Sequence, residues 1–379
     1  MFSSVKNFLS RHKRKFIVTG VVVGGGVLAL QYAQRKLREF QEAQTREFIQ
    51  RTRRSQHFES TERTCNQAIM GVAPALCDKI LKRLNTDIIL QQIRELPENK
   101  VELWNELKVQ AFTRLTTLVY ACSMLVVSLR IQLNILGGYL YKDTVADGQT
   151  ELTKENQQRY LSLSQHLLDE GVEKLITLIE RKVREVLGQY ELKQNLSLAD
   201  TEQIFWSIQM AVNSDVQDPN STLGKYILQD ELDYPNETEL LTKMYTETLD
   251  MLESDESSSL NTYNVSRGFS IVMDSIADYY YEPLKKTGMD IANENSIALP
   301  STSKSDLNVA TTTTATTMPN INSVQLPLAK LIPIVNGLSG KPFSVNVRPA
   351  SLSTSLVTLY LVSDKVKILG ANVYEVFSC

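Results

Sequence analysis

Between Phe16 and Leu30 the chain carries no charge, and Thr19 is its only polar side chain. Extended through Gln31 and Tyr32 to Ala33, this run would form a helix about 27 Å long, close to the hydrocarbon thickness of a bilayer. Residues 16–33 are therefore predicted to be a transmembrane helix. Two other readings compete. A basic leader before the run and Val27-Leu28-Ala29 within it also fit a cleaved signal peptide. A buried core helix fits the apolar length, although a core helix beside so many basic residues should show a polar face. Gly20 and Gly24 have the GxxxG spacing that lets membrane helices approach closely. From 34 to 56 the pattern becomes polar on nearly every face, with Leu37, Phe40 and Phe48 as its main apolar residues, and predicts an exposed helical stalk.

Beyond the stalk, Ile69, Ala73, Leu76, Ile80 and Leu84 recur at the period of a helix that buries one stripe. Pro97 closes the next short helix, and Asn99 with Glu102 resembles a capping box at the start of a long one. On that helix Trp104, Ala111, Leu115, Cys122, Leu129 and Leu133 fall on one stripe. Gly137-Gly138 is read as its stop, which gives about 36 residues and roughly 54 Å. The apolar run 118–129 inside it is too short to span a bilayer and predicts a buried core helix. Further helices are predicted at 156–168, 172–187, 198–212, 239–252 and 260–281. Strand alternation is nearly absent. Residues 301–323 hold 11 Ser and Thr, too few apolar groups to offset chain entropy, and are expected to be a disordered loop. Leu326 to Ile334 and Val373 to Phe377 should dock on the core, and Leu356 to Val362 fits a strand or a helix.

The predicted fold is thus all-α: a single-pass N-terminal membrane anchor followed by a large helical bundle built around a long central helix. Its divisions are a basic segment at 1–15, the anchor at 16–33, the stalk at 34–56 and a helical domain at 57–379.

Charge sharpens that division. Residues 1–54 sum to +9 and the remainder to −12, so the two parts are suited to different surroundings. Basic residues flank both ends of the apolar run, and charge alone sets no topology. A stalk of this charge also suits anionic lipid headgroups. Cys65, Cys77, Cys122 and Cys379 form no CxxC pair. On one helix Cys65 and Cys77 would stand about 18 Å apart, too far for a disulfide, so reduced thiols are expected.

Chemistry-bearing patterns are missing. Three histidines, none near a cysteine or a paired carboxylate, leave no nucleophile and base, and no metal-ligand spacing, P-loop or GxGxxG occurs. The carboxylates at 250–256 suit a solvated helix end. The basic segments lack the interleaved aromatics of a nucleic-acid groove. A non-enzymatic binding module without metal, cofactor or small-molecule substrate is expected. Trp104 stands out within it, at the start of the long stripe beside Val101, Leu107 and Lys108 and close to Ile93 and Arg94. By spacing it fits a core filler or an exposed anchor for a partner helix.

Longer strings carry more specificity. Asn7-Phe8-Leu9 with Arg11-His12-Lys13, His57-Phe58-Glu59-Ser60, Arg63-Thr64-Cys65-Asn66, Phe112-Thr113-Arg114 and Arg130-Ile131-Gln132-Leu133-Asn134-Ile135 with Gly137-Gly138-Tyr139 mark the first half. Gln165-His166-Leu167-Leu168, Leu326-Pro327-Leu328-Ala329-Lys330, Ile332-Pro333-Ile334-Val335-Asn336-Gly337 and Ala371-Asn372-Val373-Tyr374-Glu375 follow. With these strings the chain resembles the peroxin-3 family of peroxisome biogenesis factors, over residues 1 to about 200 and in patches of the C-terminal third. Residues 205–323 contribute little to the match.

The resemblance implies a luminal N-terminus, one helix in the peroxisomal membrane and its lipid, and a cytosolic helical domain. That domain would dock peroxin-19, the soluble carrier of newly made peroxisomal membrane proteins. The family's docking tryptophan falls on Trp104, and its surrounding groove on Ile93, Arg94, Lys100, Val101, Leu107 and Lys108. A tether or adaptor for peroxisome inheritance or turnover is the other function these features suit.

Overall fold

The computed structural model describes residues 13–95, 98–145, 152–229, 239–294, 324–345 and 347–379. The basic residues 1–12 and the Ser/Thr tract at 301–323 lie outside them. Contacts divide the chain into two compact units between Glu59 and Ser60.

Helix α1 (Lys13–Arg83) supplies the described part of the first unit and opens the second. In the first unit the side chains from Gln34 to Arg53 are exposed. Among them, Leu37, Phe40 and Phe48 are 57%, 60% and 70% accessible. Pairs such as Arg51 Nη2 to Glu47 Oε1 (2.6 Å) and Arg35 Nε to Glu39 Oε1 (3.3 Å) lie four residues apart on the helix surface. Such pairs each add a few tenths of a kcal/mol to an exposed helix, about 0.2–0.5.

In the second unit the stripe Ile69, Ala73, Leu76, Ile80 and Leu84 is fully buried, as its period predicts. After α2 (Thr86–Glu95) comes α3 (Lys100–Val145), against which α2 and most of the later helices pack. By length and composition α3 could cross a membrane, yet every residue from Ala111 to Gln132 is buried inside the fold. A helix apolar on all sides is what the centre of a large bundle requires. The predicted single stripe is therefore too narrow for its middle turns.

The predicted stop at Gly137-Gly138 is also corrected, since α3 runs on to Val145. These glycines lie inside the helix because neighbours come too close for a side chain. A Cβ at Gly137 would stand 2.7 Å from Thr61 Cγ2, and one at Gly138 would stand 2.6 Å from Phe377 Cβ and 2.7 Å from its carbonyl carbon. Contact distance, and no turn, explains the pair.

The remaining elements follow in order. They are α4 (Lys154–Ser162), a π-helical turn (Leu167–Gly171), α5 (Val172–Leu187), α6 (Leu198–Asn213) and the short α7 (Gly224–Ile227). Next come α8 (Glu239–Leu252), α9 (Asp255–Glu294), α10 (Leu328–Ser339), α11 (Leu352–Val362) and α12 (Asp364–Ser378). The predicted 156–168 helix breaks after Ser162 and resumes in the π turn. At Gly171 a Cβ would lie 2.0 Å from the Tyr226 carbonyl, so α7 passes against bare backbone there. Ser197 caps α6 in a reciprocal box with Asp200. The 260–281 helix is longer at both ends than its periodicity predicts, and the ambiguous 356–362 run is helical. Strand is limited, among the described residues, to β1 (Asn195–Leu196) paired antiparallel with β2 (Leu326–Pro327).

Two buried arginines of α3 join distant segments. Arg114 donates through Nε to Ser339 Oγ (3.0 Å), through Nη1 to Thr86 Oγ1 (3.1 Å) and Leu84 O (3.4 Å), and through Nη2 to the carbonyl and side-chain oxygens of Asn336 (2.7 Å each). Arg130, 1% exposed, donates to Asn66 Oδ1 at 2.7 Å and lies 4.0 Å from Glu62 Oε1. For Arg114, hydrogen bonds to neutral acceptors replace the water that the guanidinium gives up, whereas Arg130 keeps Asn66 and the Glu62 carboxylate beside it and leaves its Nε unpartnered. All four cysteines are free, Cys65, Cys77 and Cys122 buried and Cys379 exposed.

Candidate docking site

The segment singled out by sequence is the hairpin formed by α2 and the first turns of α3. Asn85 Oδ1 accepts from the Asp87 N–H at 2.9 Å and opens α2. At the other side of the turn, the Leu103 N–H donates to the Asn99 carbonyl at 3.1 Å as α3 begins. Helix α2 packs on α3 through buried Ile89 and half-buried Ile93. Arg94 sits in its last turn, where a cation complements the helix dipole.

The seven predicted residues divide by exposure. Arg94 and Lys100 are exposed, and Val101 is 68% accessible, a high value for a β-branched apolar side chain. Trp104 is half-buried, with part of its surface packed against the core and part open. Trp104 thus packs against the core without being fully enclosed by it. Leu107, at 1% exposure, belongs to the core.

Lys108 is also buried, at 4% exposure, and its ammonium has defined structural partners. Nζ donates to the Tyr190 carbonyl at 2.8 Å and the Leu187 carbonyl at 3.1 Å, closing the C-terminal end of α5. Burial pushes its pKa down, while the two carbonyls favour the charged form. Leu107 and Lys108 thus support the hairpin from beneath and offer little free surface of their own. Lys108→Met is expected to destabilise the domain by about 2 kcal/mol, because two carbonyls lose a charged donor. The loss would be read from the midpoint of urea unfolding.

Beside this hairpin lies a cavity of about 790 Å³. Its walls include Val101, Asn105 and Lys108 from α3, and Arg184, Tyr190 and Lys193 from the end of α5 and the loop after it. Arg184 is held there by Glu106 (3.2 Å) and Glu180 (3.0 Å). The far wall is some 80 residues away in sequence, so helical spacing around Trp104 carries no signal for it. What the hairpin can do chemically is bind. It exposes Val101, Arg94 and Lys100 and leaves Trp104 partly open, and Val101 also lines the cavity.

The family model of peroxin-3 matches residues 7–99, 94–152 and 141–341. Peroxisomal biogenesis factor 3 of Homo sapiens is 38% identical over 404 aligned positions, covering 100% of this chain and 98% of the human protein. The Mus musculus protein of the same name is 36% identical over 401 positions with the same coverage. Peroxisome biogenesis protein 3-1 of Arabidopsis thaliana is 27% identical over 214 positions, 51% of this chain and 60% of the plant protein. The mammalian alignments cover 100% of this chain, and the family match at 141–341 runs through most of the 205–323 stretch that contributes few matching strings to the sequence resemblance.

Proposed function

The chain belongs to the peroxin-3 family, and from that premise we propose that it is a membrane-anchored docking receptor for peroxisome biogenesis. It captures peroxin-19 loaded with newly made peroxisomal membrane proteins. The observation that carries this reading is the partly open Trp104 beside exposed Val101, at the free end of the α2–α3 hairpin. An amphipathic helix docks by placing apolar side chains, spaced three and four residues apart, against such an anchor. Acidic residues on its polar face would meet Arg94 and Lys100. The anchor is the helical segment 16–33, set in the peroxisomal membrane with the domain after the stalk facing the cytosol.

Reciprocal pulldown from cytosol tests the receptor role. The full chain in detergent should retain peroxin-19, whereas a pure tether would not. Alkaline carbonate extraction tests the anchor. Intact protein should remain in the membrane pellet, and its recovery in the supernatant would contradict integral insertion.

A further inference from the structure

Trp206 on α6 is 55% exposed, and Met210, one turn further along the same helix, is 43% exposed. A single open apolar side chain needs no explanation, but Trp206 lines a concave groove of about 750 Å³ between α6 and α9. The two helices run antiparallel there. Gln209 Nε2 donates to Ser266 Oγ at 3.1 Å, the rings of Phe205 and Phe269 lie 5.9 Å apart, and the hydroxyls of Thr201 and Tyr280 meet at 2.9 Å. The Gln209 to Ser266 bond closes one end of the groove, the buried rings of Phe205 and Phe269 lie along it, and half-buried Met273 adds a flexible thioether to the wall.

Charge marks the other end. Among the described residues that line the groove, the charged ones are Glu202 and Asp274, both exposed, and no lysine, arginine or histidine joins them. Each lies in sequence between the Phe205–Phe269 pair and the Thr201–Tyr280 contact, so both acids stand at the same end. The α2–α3 hairpin exposes Arg94 and Lys100 instead, and the two surfaces therefore suit partners of opposite charge.

We propose that this groove docks a basic amphipathic helix of another protein, with its apolar side chains against Trp206 and Met273 and its lysine or arginine residues over Glu202 and Asp274. From Ala199 to Gln209 the lining runs about 15 Å, room for about three turns of a helix laid along it. An exposed tryptophan beside a methionine is the kind of anchor such a helix uses. The two carboxylates repel anionic lipid headgroups, which favours a basic protein segment over a membrane surface.

The test uses the full chain in phosphatidylcholine nanodiscs with Trp104→Phe, which leaves Trp206 as the one tryptophan. The probe is a helical peptide of leucine and lysine about 18 residues long with leucine on one face, compared with its leucine and glutamate counterpart. Trp206 emission should move to the blue as the leucine and lysine peptide saturates, and should stay in place with the other. Binding of the dye-labelled probe, read by anisotropy against empty nanodiscs, should weaken about tenfold or more in Trp206→Ala at unchanged melting temperature. Glu202→Gln combined with Asp274→Asn should weaken it about threefold or more, and added salt should bring the unaltered groove toward that value. Failure of the probe to bind, or binding with no change in Trp206 emission, would overturn the proposal. So would equal binding of the glutamate peptide, or affinity unaltered in the folded groove variants. Blue emission before any peptide is added would overturn it as well, because lipid or a second copy of the chain would already cover the groove.

Discussion

Trp104→Ala is expected to weaken peroxin-19 binding by about 30-fold to 1000-fold while leaving the domain folded. Anchor tryptophans at interfaces cost about 2–4 kcal/mol on truncation, which is the energy equivalent of that range. Because part of Trp104 packs against the core, some stability is lost as well. A fully interior tryptophan would cost about 3–5 kcal/mol of folding free energy, and a half-buried one should cost roughly 1–2. The ratio of the two losses is the diagnostic quantity. Paired calorimetric titration and urea unfolding of the same variant measure it. Binding loss well above stability loss supports an anchor, and the reverse would make Trp104 a core residue.

The largest stability effect is expected at Arg114. Its five hydrogen bonds tie the middle of α3 to the α1–α2 junction on one side and to the end of α10 on the other. Burial pushes the guanidinium pKa down to about 10, so it remains charged at neutral pH and its acceptors are held by a cation. Arg114→Met leaves the oxygens of Asn336 and Leu84 without that donor and should cost about 3–5 kcal/mol. In a domain of this size the melting temperature should fall by roughly 5–10 °C. Arg114→Lys should not restore it, since one ammonium cannot reach acceptors on Leu84, Thr86, Asn336 and Ser339 together. A fall below about 1 kcal/mol in either variant would show that the joint contributes little.

The sequence strings that carry the family resemblance turn out to meet one another in the fold. Arg114 of Phe112-Thr113-Arg114 meets Asn336, Asn66 meets Arg130, and Asn134 meets Cys65. They are the polar joints and close contacts of the bundle, where identity is constrained by reach, charge and volume together. Elements with one buried stripe, such as α5 and α8, were legible because their 3.6-residue period is local. The centre of α3 was only partly so, since a helix buried on all sides has no period to display.

The candidate site divides in the same way. Val101 and Trp104 can be placed on one end of a helix by counting. That Leu107 is core and Lys108 is a cap for α5 depends on Leu187 and Tyr190, which no local spacing connects to it. Gly137-Gly138 was misread for a related reason. The contacts that exclude a Cβ come from Thr61 and Phe377, one far before it and one at the other end of the chain.

The central claim, that a helix of peroxin-19 seats on Trp104, is tested most directly by the emission of that indole. The chain has two tryptophans, and Trp206 is 55% exposed, so Trp206→Phe removes the other, solvent-facing fluorophore. In that background the partly open Trp104 should emit at intermediate wavelength and move to the blue as an amphipathic peroxin-19 peptide saturates it. Binding of the peptide, detected by calorimetry, with no change in Trp104 emission would contradict the assignment.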